Sequence, residues 1–231
     1  MPLAHRGLHG SGVPENSLPA FAAAAEAGYG VELDVLLSRD EVPVINHDPS
    51  LRRVAGVDAR VGDLTMEELA QVRLGGTDVG VPTLAAALQV LQRVPVMVEI
   101  KQGRPRAGKL ERRVAEVVAG HPGPWCVAGF NPTSLRWFRR HQPEAIRVMT
   151  ASPLIDVKLP GYLLRRLAEL RDLPSVAPQA VSYDLDALPT EVTDRWRERG
   201  GALITWTAVG EEGLARARAL ADNVIFEHVL P

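Results

Sequence analysis

The chain is poor in cysteine, lysine and aromatic residues, and it has no long apolar run. Its 231 residues include one cysteine, Cys126, so no internal disulfide is available and stability must come from a core. Cys126 lies in the apolar stretch Trp125-Cys126-Val127-Ala128, where it reads as a small buried hydrophobe rather than a nucleophile. No segment approaches the roughly 18–20 apolar residues that a membrane helix needs. The start, Met1-Pro2-Leu3-Ala4-His5-Arg6, lacks the apolar stretch of a signal peptide. The expectation is a cytoplasmic protein without a stable membrane anchor. Neither sign of charge is in excess: 26 basic face 28 acidic side chains. With no basic block, nucleic acid is not expected as a partner.

Apolar residues, at 46%, are abundant enough for a real core. Short apolar runs near 3–6, 30–35, 96–100, 125–129, 146–149, 179–183, 202–206 and 224–227 alternate with longer helical patterns. That alternation predicts parallel strands joined by helices. Eight such units in one domain of this length predict a distorted (β/α)8 TIM barrel over residues 1–231. Asn131-Pro132 reads as a cap with proline at the first helical position. Thr65-Met66-Glu67-Glu68 has capping-box spacing. One unit breaks the rhythm: after 30–35 a second strand follows at 43–47, with no room for a crossover helix, so it must return as an antiparallel hairpin. A turn centred between Asp40 and Glu41 sets His47 opposite Asp34. Residues 48–80, with one short helix at 65–74, read as a small insertion over the barrel mouth. No helix is expected after the last strand, which leaves the seam between first and last strands thinly covered. The chain ends, or a second copy in a homodimer, would shield it.

In such barrels the site lies at the C-terminal ends of the strands. Those ends carry His5-Arg6, Glu32-Leu33-Asp34 and Glu99-Ile100-Lys101. Residues two apart on a strand share a face, so Glu32 projects with Asp34, and Glu99 with Lys101. Charged pairs on barrel strands carry an electrostatic cost that needs a reason. Three converging carboxylates repel unless a cation sits among them, and oxygen-only ligands suit Mg²⁺ or Ca²⁺ rather than zinc. Arg6 and Lys101 more than offset the residual charge, so the site is fit for an anion. His5 and His47 add groups that transfer protons near neutrality. Together these are the parts for displacement at a phosphodiester. Taken singly, each has a bland reading: a structural histidine, or a plain Glu99–Lys101 ion pair. Trp206, at a strand end, walls the pocket or fills the barrel, and the former is preferred. His9, His121 and His141 are read as solvated, and Glu15 and Asn16 as loop braces.

His5-Arg6-Gly7, Pro14-Glu15-Asn16-Ser17, Glu32-Leu33-Asp34-Val35, His47-Asp48 and Glu99-Ile100-Lys101 together resemble the ordered motifs of glycerophosphodiester phosphodiesterases. The resemblance continues through Val81-Pro82-Thr83-Leu84, Gly129-Phe130-Asn131-Pro132 and Thr205-Trp206-Thr207, across nearly the whole chain. It implies a metal-dependent hydrolase that releases glycerol 3-phosphate and an alcohol from a small phosphodiester. It also implies one divalent cation on Glu32, Asp34 and Glu99, an acid/base pair in His5 and His47, and phosphate contacts from Arg6 and Lys101. The implied route has the substrate 2-hydroxyl attack phosphorus, and water then opens the cyclic phosphate. The final strand departs from the pattern, with Glu227-His228 where threonine and aspartate are usual, and Phe130 replaces a common serine. Glu227 would face the mouth near His5, or be a surface charge. Two rivals remain. A lysophospholipase D-like enzyme would keep the site but act on lysophospholipids, which the lack of an amphipathic segment disfavours. Residues 103–109 have nucleotide-loop spacing after a strand, but Leu110 replaces the metal-binding hydroxyl and Pro105 removes an N–H donor.

Overall fold

The computed structural model describes residues 1–101, 107–153 and 160–231, and most of the loop at 103–109 lies outside them. The strands are β1 (Leu3–His5), β2 (Gly30–Leu37), β3 (Pro43–Ile45), β4 (Val96–Ile100), β5 (Trp125–Gly129), β6 (Ile146–Ala151), β7 (Ala180–Asp184), β8 (Ala202–Val209) and β9 (Asn223–Glu227). All but β3 run parallel, and β1 pairs with both β2 and β9, so eight strands close into a barrel. This is the expected (β/α)8 architecture with an added antiparallel strand.

Alternation along each strand sorts the side chains. Val31, Leu33, Val35, Val98, Ile100, Val127, Met149, Val181, Leu203, Val224 and Phe226 face the helices in one continuous core. Their inward neighbours Leu3, Met97, Ala128, Val148, Ala180 and Ile225 plug the barrel floor. Strand residues buried on both faces read as apolar runs, which is why all eight strands were visible. Helix starts follow the capping rules. Asn131 accepts from Thr133 N–H at 2.9 Å, and Thr65 and Glu68 form the reciprocal capping box.

The hairpin register differs from expectation by one residue. Val35 pairs with Ile45, Leu36 with Val44 and Leu37 with Pro43, so Asn46, not His47, stands opposite Asp34, its N–H donating to the Asp34 carbonyl at 3.0 Å. The cause is the turn. Ser38 N–H bonds the Val42 carbonyl at 3.0 Å across a three-residue loop, and Glu41 takes φ 63. Such loops couple a turn to one left-handed residue, which shifts the pairing from the tight two-residue case.

The insertion holds more structure than one helix, with short helices at Arg52–Ala55 and Met66–Leu69 and 3-10 turns at Val61–Asp63 and Leu74–Gly76. It has its own core of Leu51, Val61, Leu69, Val72 and Leu74, packed on Leu36 and Val44 of the hairpin. At the seam, Tyr29 packs edge-on against Phe226 and its hydroxyl donates to the Pro231 carbonyl at 3.1 Å. The last residues therefore lie against the seam.

Candidate active site

One cavity at the C-terminal mouth of the barrel is lined by His5, Arg6, Glu32, Asp34, His47, Glu99, Lys101 and Trp206. Eight of the nine residues expected at the site thus meet in one place. The ninth, Glu227, stands just behind it. Its Oε2 accepts from His5 Nδ1 at 2.5 Å, and its side chain is 22% exposed, so it is no surface charge.

Alternation alone would send Arg6 to the opposite face from His5. It does not, because Arg6 adopts φ 57, a left-handed conformation costly for a non-glycine residue. Hydrogen bonds from Arg6 N–H to the Glu32 carbonyl and from Asn16 N–H to the Arg6 carbonyl hold it there, at 2.8 and 2.9 Å. The next residue must be glycine: Gly7 has φ 84, and a Cβ there would come within 2.8 Å of Ala20. This turn swings the Arg6 guanidinium onto Asp34, with Nε at 3.2 Å, and onto Glu15, with Nη1 at 2.8 Å.

The carboxylates converge as expected. Glu32, Asp34 and Glu99 each offer an oxygen within 4.8 Å of the other two. Lys101 Nζ lies 2.8 Å from Glu99 and 3.2 Å from Asp34. Burial alone would raise Asp34, but Lys101 and Arg6 outweigh it and hold that carboxyl far below its usual range. Burial would likewise lower Lys101, yet Asp34 and Glu99 push the ammonium above its ordinary value. Glu32 has no such partner: its Oε2 is buried without a hydrogen bond, and the one basic side chain that reaches it within 4.0 Å among the described residues is His5, through Nε2. Burial, then the charges of Asp34 and Glu99, drive Glu32 well above the usual carboxylate range. An orphaned buried carboxylate oxygen among three convergent carboxylates fits a hard divalent cation.

Both site histidines are held through Nδ1. His5 donates to Glu227, and His47 Nδ1 donates to Asp48 Oδ1 at 2.8 Å. Burial lowers His47 from its ordinary value despite the attraction of Asp34. Trp206 walls the cavity and meets Phe130 edge-on, with ring centroids 5.6 Å apart. Its Nε1, Thr150 Oγ1 and Ser182 Oγ are buried in the lining without hydrogen-bond partners. Thr150 and Ser182 were missed, although both are inward-facing hydroxyls near strand ends, where the same alternation rule would have found them.

Two expectations for the loops need correcting. Asn16 is more than a loop brace: it is buried, sits at φ 54, and its Nδ2 donates to Asp34 Oδ2 at 2.8 Å. His9 is not solvated; its side chain is 12% exposed and faces Glu227. His141 instead stacks on Trp137 at a helix end.

Comparison with known proteins agrees with the geometry. Residues 5–229 match the Glycerophosphoryl diester phosphodiesterase family. A glycerophosphodiester phosphodiesterase of Caldanaerobacter subterraneus is 27% identical over 96% of this chain and 92% of its own length. A rat lysophospholipase D is 30% identical, but over 50% of this chain and 40% of its own length. Among solved structures, an Oleispira antarctica phosphodiesterase in complex with its product sn-glycerol-3-phosphate superposes with a TM-score of 0.81. It is 22% identical and covers 98% of this chain and 92% of that one. The chain belongs to the glycerophosphoryl diester phosphodiesterase family and is a hydrolase of that class.

Proposed function

We propose that the enzyme cleaves glycerophosphodiesters to glycerol 3-phosphate and an alcohol in a metal-dependent reaction, with His5 and His47 as its acid/base pair. The observation that carries this reading is that both imidazoles are tied through Nδ1 to carboxylates beside the three-carboxylate cluster. Such a tie fixes the tautomer and leaves Nε2 to exchange protons. Arg6 and Lys101 draw the phosphate into the mouth and offset its charge. One histidine takes the proton of the substrate 2-hydroxyl as its oxygen attacks phosphorus. The other protonates the departing alcohol oxygen. In the second half the roles reverse: the histidine that gave its proton now takes one from water. The water oxygen adds to phosphorus, and the 2-oxygen leaves with the proton held by its partner. Glu32, Asp34 and Glu99 would hold a divalent cation, which when bound would supply Lewis-acid stabilisation of developing negative charge.

A panel of glycerophosphodiesters assayed with and without EDTA tests this reading. Chelation should abolish turnover, and Mg²⁺ or Ca²⁺ should restore it. Restoration by Zn²⁺ alone would refute the oxygen-ligand assignment. Glycerophosphocholine should turn over faster than lysophosphatidylcholine; the reverse order would favour the lysophospholipase D reading. Among the described residues no helix is long and apolar enough to cross a membrane.

A further inference from the structure

A second cluster of metal-ligating side chains stands beside the mouth, outside the proposed phosphodiesterase machinery. His9 comes from the loop after β1, and Glu227 and His228 come from the end of β9. His228 sits at φ 54, which turns its imidazole back onto the Glu227 carboxylate instead of away from it. Glu227 Oε1 lies 2.9 Å from His228 Nε2 and 3.5 Å from His9 Nε2. One donor atom from each residue lies within 4.8 Å of the other two, and the two rings meet edge-on at 5.1 Å between centroids. Tetrahedral coordination with bonds of about 2.0–2.1 Å separates donors by roughly 3.3–3.5 Å, so only small shifts are needed. The His9 contact is too long for a good hydrogen bond. Its Nε2 is buried without a hydrogen-bond partner, an arrangement that costs free energy unless something completes it. A cavity of about 240 Å³, lined in part by Gly7, Leu8, Phe226 and Val229, adjoins the cluster and has room for a fourth ligand such as water.

We propose that His9, Glu227 and His228 form a second metal site, selective for zinc-class ions and separate from the three-carboxylate cluster. Donor chemistry distinguishes the two. Two imidazoles and a carboxylate suit a borderline ion such as Zn²⁺, whereas oxygen ligands alone suit Mg²⁺ or Ca²⁺. Glu227 links the sites, since Oε1 faces the triad while Oε2 holds His5 Nδ1 at 2.5 Å. An ion on Oε1 withdraws charge from the carboxylate that orients His5, and zinc therefore slows turnover. This coupling rests on the catalytic reading of His5; zinc binding itself does not.

Equilibrium dialysis against Zn²⁺ in excess Mg²⁺ tests the site, with the wild type compared with a His9→Gln/His228→Asn variant. Asparagine is chosen because it tolerates left-handed backbone. The wild type should hold one zinc equivalent more than the variant. Co²⁺ should give the intense visible bands of a tetrahedral nitrogen-containing site in the wild type alone. Circular dichroism and zinc-free, Mg²⁺-supported turnover should match between the two proteins. If the double variant does not fold, His228→Asn alone serves, since that side chain is 52% exposed. Equal zinc stoichiometry in folded variant and wild type overturns the site. A stoichiometric difference with equal zinc inhibition of both proteins overturns the coupling to His5. Zinc binding without any phosphodiesterase turnover would count against the proposed function and not against this site.

Discussion

Asn16 braces one of the three convergent carboxylates. Its amide holds Asp34 Oδ2 at 2.8 Å from a left-handed loop position. Removing a group that orients a metal ligand typically costs 10–100-fold in metal affinity or activity. For Asn16→Ala, the Mg²⁺ concentration for half-activation should rise by about that factor, with kcat at saturating metal nearly unchanged. A fall in kcat alone would place Asn16 in the chemistry instead. His5→Ala and His47→Ala should each lower kcat by about 10²–10⁴-fold while circular dichroism stays unchanged. The residues carrying charge on strand ends were legible because a buried charged pair contradicts its apolar surroundings. Asn16, His9 and His228 were not, because φ values of 54 at positions 16 and 228 and contacts across the mouth have no local pattern.

The hairpin and the insertion behave as one element. Strand β3 joins the barrel to a small core in which Leu51 and Leu69 are fully buried. His47 lies two residues past the end of this strand and is tied to Asp48, which Arg53 of the insertion holds at 2.6 Å. Leu51→Ala should therefore destabilise the protein by about 2–5 kcal/mol, read as a lower urea midpoint. It should also lower turnover more than a substitution of equal cost on the helix-facing side. Periodicity and length were enough to predict a hairpin here, since no crossover helix fits between β2 and β3. They were not enough to set its register, because one left-handed residue at Glu41 changes the pairing by one and nothing in its identity announces that. Elsewhere the strands of the closed barrel were legible from buried runs alone, and only their ends shifted.

At the scale of the whole molecule, the buried carboxylate cluster ties stability to pH. Glu32 is raised in the fold, chiefly by burial, from a usual value of 4.5. Above that pH the unfolded chain releases the proton that the fold retains, so stability falls as pH rises towards the folded value. With EDTA present, Tm should decline relative to Glu32→Gln as pH rises above the usual carboxylate range, and parallel curves would refute the assignment. A cation bound there, as proposed, would offset this penalty. At a concentration 100 times its Kd it adds about 2.7 kcal/mol, or roughly 5–11 °C in Tm for a chain of this size. Differential scanning calorimetry with and without Mg²⁺ measures it.

The hydrogen bond between His5 and Glu227 spans 222 positions of sequence. The two groups meet only where β9 pairs with β1. Closing the ring is therefore what brings the imidazole to its carboxylate, and a barrel parted at that seam would leave His5 without its anchor.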